Sequence, residues 1–375
     1  MTDRQTDRNS SIELLKILAI IIIVFSHAMP DGDVMQCQQY GSALDLRMVT
    51  HSSQMIILSF IHNMGQIGND IFLVCSVWFL TESKTARLNK IISMIIDCFL
   101  VSVIMLCGFS LFGYKFRMTY FIKQFFPVTF GNSWFLTCYL LLYAIHPLLN
   151  IIIKNIKQKI LFLVVALFIV LYCVESFVME GKLFFYSELI GFCGIYFIVA
   201  YVKKYMEFIH NNRQYGVSLL LVGIVGWFFQ NLVTDFVGLH LNFLANKGQL
   251  WNQFINPCYI MIAIGLFIIS KNHTFISKSI NYISSLSLLI YMFHCNRIVR
   301  DYFRFDFFGF VKNNYSYKHL LYFCIIYGFI TLIFGVLLSF IYEKTIKKVA
   351  NRIIIRLSDK IKILWEKFCV KFNLD

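Results

Sequence analysis

Long apolar runs separated by short polar breaks fill the sequence, and most approach the roughly 20 residues that carry a helix across a bilayer. The pattern predicts spans over roughly 12–29, 68–82, 91–113, 134–153, 160–178, 184–202, 217–234, 254–270, 281–297 and 320–342. A further apolar segment near 55–62 is interrupted by HNMGQIGND. It is too short to span, which predicts an interfacial or re-entrant piece. The short alternating segments of a membrane β-barrel do not occur. The expected fold is therefore an all-α polytopic membrane protein of about ten spans.

Beyond Glu343 the pattern changes. Ile346, Val349, Ile353, Leu357, Ile361, Leu364 and Phe368 recur at helical spacing, with Lys and Arg filling the other face and Trp365 as an interfacial anchor. This divides the chain into a membrane domain, residues 1–343, and a basic amphipathic tail, residues 344–375. The tail is expected to be cytoplasmic and to lie on anionic lipid; docking on a partner protein is the alternative. Placing the termini inside gives a Lys/Arg bias of roughly two to one toward the cytoplasm. The basic loop from Arg297 to Lys318 runs against that bias.

Composition narrows the class. With 58% hydrophobic and only 14% charged residues, the chain is not a soluble globular domain. The net charge of +14 resides in short loops and the tail, so no nucleic-acid partner is expected. The eleven cysteines sit mostly inside apolar runs without CxxC spacing, so neither a disulfide framework nor a metal is expected. Arg4 and Arg8 precede an apolar run as in a signal peptide. The length of the run, Lys16 within it and the lack of a small-x-small site favour an uncleaved first span.

Within that span, ELLKILAIIIIVFSH, Lys16 and His27 are eleven residues apart. Three helical turns place them on one face, roughly 16 Å from each other along the axis. An imidazole near the outer end of a span can serve as a general base at neutral pH. The ninth run, SLSLLIYMFHCN, brings Tyr291, His294 and Asn296 to the same expected depth. Asn69 and Asp70 are read as opening the second span and Trp134 the fourth, while Glu175, Glu180 and Glu188 flank an outer turn. Carboxylates, amides and aromatic faces of this kind suit a carbohydrate. They are equally what a wet interface carries: packing histidines, a Trp belt and loop acids. On the inner side, Lys84, Arg87 and Lys90 form a stripe that could hold phosphates or could simply orient the protein. Asp97 is either functional or paired with Lys16 or another cation.

RNSSIELLKILAIIIIVFSHAMP resembles the first helix of the membrane acyltransferase-3 family, with its basic residue, ten intervening residues and histidine. IFLVCSVWFL resembles the family's second helix, WFLTCYLLLYAIHPLL its Trp-led fourth, and SLSLLIYMFHCN its late Tyr-x-x-His helix. The four motifs stand in family order over roughly residues 8–345. The resemblance implies a ten-helix inner-membrane enzyme that moves an acyl group, usually acetyl, from cytoplasmic acyl-CoA. The acceptor it implies is a hydroxyl of an extracytoplasmic or lipid-linked surface polysaccharide. It makes His27 the catalytic histidine, Lys16 the basic member of its motif, Arg87 and Lys90 the CoA-side stretch, and Tyr291 with His294 the late motif. Trp134, Asp70 and Asn296 remain candidates for holding the acceptor or the oxyanion. Lys16 stands where the family usually has Arg, and Ser76-Val77 where it has Ser-Gly. Lys keeps the charge and loses the planar fork. Direct attack by the acceptor and an acyl-histidine intermediate are both open. A saccharide transporter and a structural subunit of polysaccharide assembly are the rival classes.

Overall fold

The computed structural model describes residues 8–29, 53–130, 133–174, 187–232, 255–315 and 319–372, and these are helical throughout apart from short turns. Helix α1 (Ser10–Ala28) starts where Asn9 accepts a hydrogen bond from the Ser11 amide at 3.0 Å. Helix α2 spans Ser53–Leu80 and α3 Leu88–Leu111, and a short α4 follows at Met118–Phe125. Helix α5 is Trp134–Asn155. Helix α6, Gln158–Phe168, ends in a π-helical stretch, Ile169–Val174. Then come α7 (Glu188–Tyr205), the one-turn α8 (Glu207–His210), α9 (Arg213–Leu232) and α10 (Pro257–Lys271). Helices α11 (Lys278–Ser285) and α12 (Ser287–His294) precede a second π-helical stretch, Val299–Phe303, and α13 (Arg304–Asn314). Helix α14, Leu320–Lys344, leads into α15, Ile346–Phe372.

Five of these helices, α1, α3, α5, α9 and α14, are long and apolar enough to cross a membrane, and α10 and the α6 segment are shorter apolar helices. Their outward faces are apolar too: Val225 and Phe229 on α9, and Phe329, Ile333 and Leu337 on α14, are more than half exposed. In water such surfaces would aggregate; against acyl chains they cost nothing. The chain is an integral membrane protein of several helical spans.

Two expected segments come out differently. The stretch HNMGQIGND does not interrupt anything, because α2 runs unbroken through it. Its glycines face α1: a Cβ on Gly65 would lie 1.9 Å from Ser26 Oγ, and one on Gly68 would lie 2.9 Å from the Ala19 carbonyl oxygen. Small residues here let two helices approach to backbone contact, which explains polar-looking sequence inside a continuous helix. The ninth run, conversely, is two helices. Ser285 donates its hydroxyl to the Tyr282 carbonyl at 2.6 Å, and the chain steps at Leu286 before α12 begins.

Helix α1 is the centre of the bundle, packed against α2, α10, α11, α12 and α14. Its first turn is fastened to α11, where Ser10 donates to Asn281 at 2.7 Å and accepts from the Ser277 amide at 2.7 Å. The tail helix is anchored rather than loose. Ala350 and Ile354 pack on Ile92 of α3, and Lys347 pairs with Asp97, whose other oxygen accepts from Tyr342 at 2.7 Å. Asp97 thus pairs with the tail, and Lys16 has a different partner. On the outer face of α15, Val349, Ile353, Leu357, Ile361, Leu364 and Trp365 are exposed.

Candidate active site

The last turn of α1 meets the last turn of α12. His27 Nδ1 lies 3.1 Å from His294 Nε2, with the ring centroids 5.2 Å apart. His294 is buried, and its Nδ1 sits 2.9 Å from the Ile290 carbonyl oxygen. A carbonyl can only accept, so Nδ1 of neutral His294 carries the proton and its Nε2 is bare. That bare nitrogen in turn requires His27 to donate from Nδ1, which leaves His27 Nε2 with a free lone pair. Unlike its partner, His27 is exposed. A buried ring fixed by backbone thus orients an accessible ring whose outer nitrogen can take a proton. Cys295 closes the group, its sulfur 3.3 Å from His27 Nδ1 and 3.2 Å from His294 Nε2.

Aromatic packing sets the position of α12. Tyr291 lies edge-on to His294 at 5.6 Å between centroids and packs on Phe135 at 5.7 Å. Phe135 and Trp134 both contact Phe192 of α7. Trp134 packs edge-on against Phe135 at 5.8 Å between centroids and so connects to the histidine pair through Phe135 and Tyr291. Beyond the pair, Arg304 donates from Nη2 to the Met29 carbonyl at 2.9 Å, which pins the chain just after α1.

The other end of α1 collects charge. Lys16 pairs with Glu13 at 3.1 Å, and Glu13 also accepts from Ser284 at 2.5 Å. Lys90 lies over the Tyr143 ring at 4.6 Å and within electrostatic reach of Lys16, Arg87 and Arg8. The Tyr143 hydroxyl accepts from the Arg87 amide at 3.3 Å, so one tyrosine on α5 organises the start of the basic stretch. Arg87 and Lys90 are exposed and Lys16 half-buried. Of these four cations only Lys16 and Arg8 pair with the buried Glu13 carboxylate, which leaves a surplus of positive charge, as an anionic ligand requires.

A family model described as an acyltransferase domain, that of the acyltransferase 3 family, matches residues 9–344. The chain belongs to that family. No curated protein and no solved structure matches it. It is an acyltransferase, and the family implies an acyl donor.

Not every candidate joins this acyltransferase's histidine pair. Gly65 marks the level of Ser26 on α2, and Asp70 lies five residues further, about 7.5 Å deeper at 1.5 Å per residue. Asn69 and Asp70 therefore sit within α2 rather than at its opening. Asp70 is fully buried, with neither carboxylate oxygen bonded among the described residues. Asn69 donates to Gln66 at 3.0 Å. Asn296 is close by in sequence, but its side-chain oxygen accepts from the Ile298 amide at 3.0 Å, capping the turn that follows. Glu188 starts α7, while Glu175 and Glu180 fall outside the described residues.

Two participants escaped the sequence reading. Glu13 had a visible signal, an acid one turn before Lys16 in an apolar run. Cys295 had none, because only the meeting of α1 and α12 gives it neighbours.

Proposed function

We propose that this acyltransferase moves an acyl group, acetyl in the simplest case, from acyl-CoA to a hydroxyl of an extracytoplasmic or lipid-linked surface polysaccharide. The observation that carries the reading is the His27–His294 pair, which leaves one accessible imidazole nitrogen as a base at the end of α1 opposite Lys16. The roughly 16 Å between the two ends suits a donor whose phosphates and thioester are separated by a pantetheine arm.

The chemistry follows from that arrangement. Lys16, Arg87 and Lys90 bind the phosphates of CoA, and the arm runs along α1. His27 Nε2 takes the proton of the acceptor hydroxyl as its oxygen bonds to the thioester carbon. The tetrahedral adduct expels the CoA sulfur, to which His27 returns the proton. His294 holds the imidazolium by accepting from Nδ1. Tyr291 and Trp134 shape the acceptor side. On this reading the protein lies in the cytoplasmic membrane with ten spans and both termini inside, and the exposed stripe of α15 rests on anionic lipid.

Mass spectrometry of surface polysaccharide tests the reading. Cells with the protein should carry one acyl mass more per modified sugar than cells without it or with His27→Ala. An acyl mass retained by His27→Ala at normal membrane abundance would overturn it.

A further inference from the structure

Three ligand-type atoms meet at the junction of α1 and α12: His27 Nδ1, His294 Nε2 and Cys295 Sγ. Their separations are 3.1, 3.2 and 3.3 Å. Zinc bonds of about 2.05 Å to nitrogen and 2.3 Å to sulfur in a tetrahedral site put nitrogens about 3.3 Å apart and nitrogen about 3.5 Å from sulfur. The triangle is already within a few tenths of an ångström of that figure. Closing the gap needs only small outward movements of side chains.

We propose that His27, His294 and Cys295 bind a borderline-soft divalent cation, Zn²⁺ by chemical class, with the fourth position open toward the exposed side of His27. Several features of the surroundings favour this ligand. His294 is held in the tautomer that a metal needs, because its Nδ1–H is committed to the Ile290 carbonyl and Nε2 alone is free. Such an outer hydrogen bond is the usual accompaniment of a ligating histidine. The Tyr291 hydroxyl stands beside the Cys295 sulfur, so an outer hydrogen-bond partner is at hand on this ligand as well. The donor set of two imidazoles and one thiolate selects zinc over magnesium or calcium, which need oxygen ligands. Cys295 would enter as the thiolate, its proton leaving to water.

Occupancy and the proton relay exclude one another. A metal on Nδ1 moves the remaining ring proton of His27 to Nε2, and that nitrogen can no longer accept. Zinc therefore takes the base out of use, a consequence that rests on the proposed acyl transfer, whereas the binding itself does not.

The test uses the full chain in detergent, freed of metal with a chelator and carrying no polyhistidine tag. One equivalent of Co²⁺ should bring the visible bands of a tetrahedral ion and a near-ultraviolet thiolate-to-cobalt band, and one equivalent of Zn²⁺ should remove both. Cys295→Ala should lose the thiolate band and weaken zinc binding by more than the roughly 10–100-fold that outer-shell changes cost. Mg²⁺ should displace nothing. A wild-type protein without the thiolate band, or a Cys295→Ala protein with unchanged zinc affinity, would overturn the proposal. The cobalt spectrum of the wild type decides even if the variant misfolds. No acyl transfer is read, so failure here is distinct from failure of the proposed activity.

Discussion

Nδ1 of His27 and Nε2 of His294 face each other at 3.1 Å across 267 positions of sequence. The contact joins a ring fixed by its own helix to an accessible ring, and on the proposed mechanism the accessible ring meets the acceptor. His294→Ala should therefore act on turnover rather than on donor binding. A fall in kcat on the order of 10²-fold with KM for acyl-CoA unchanged is expected, against on the order of 10²–10⁴-fold for His27→Ala. Steady-state kinetics in proteoliposomes measure both. Equal KM and kcat in wild type and His294→Ala would show that the contact does nothing for the reaction.

The basic end of α1 makes the opposite prediction. Lys16→Ala and Lys90→Ala should each raise KM for acyl-CoA about tenfold, which corresponds to about 1.4 kcal/mol, and leave kcat near its starting value. Lys16→Arg should retain the affinity, since the charge remains. Donor titrations at saturating acceptor distinguish these outcomes. A loss of kcat instead would place Lys16 at the reaction rather than at the phosphates.

Helix approach is testable without reference to activity. Gly68→Leu forces a side chain against the Ala19 carbonyl and Ile23, whereas a Cβ at Gly108 meets nothing within 4 Å. The first substitution should cost about 1–3 kcal/mol by overpacking. Gly108→Ala, in the last turn of α3, should be neutral or slightly stabilising, by less than the roughly 0.5–1 kcal/mol that separates glycine from alanine in mid-helix. Thermal unfolding in one detergent compares the pair, and equal melting temperatures would contradict the close contact.

Asp97→Asn should loosen the tail. Its carboxylate holds both Lys347 and Tyr342, and removing a charged partner from such a bond costs about 1–3 kcal/mol. Limited proteolysis should then cut within α15 at protease levels the wild type withstands. An unchanged digest would mean that Ala350 and Ile354 suffice to hold the helix.

Sequence carried the helical class, because apolar runs of bilayer length have no other stable form in lipid. It carried the placement of Lys16 and His27 on one helix, because helix geometry alone puts residues eleven apart on one face. It carried the late motif as a level in the membrane, while contact between His27 and His294 depended on which helices adjoin, and periodicity says nothing of that. The glycines of α2 misled for a physical reason: the spacing that breaks a hydrophobic run is also the spacing that lets α1 come close. Asp70 misled similarly, since a polar residue next to an apolar run reads as its beginning until the helix is seen to start seventeen residues earlier.

The clamp between Asp97 and the tail bears on how the chain is made. Its partner Lys347 is synthesised 250 residues after the carboxylate. At 5–20 residues per second, α3 must wait about 12–50 s for its counter-charge. During that interval the carboxylate can accept from Ser93 of its own helix at 3.0 Å but lacks the cation that neutralises it. The third helix therefore gains its last electrostatic partner only when the tail has been made, so one of the earliest helices is completed by the latest.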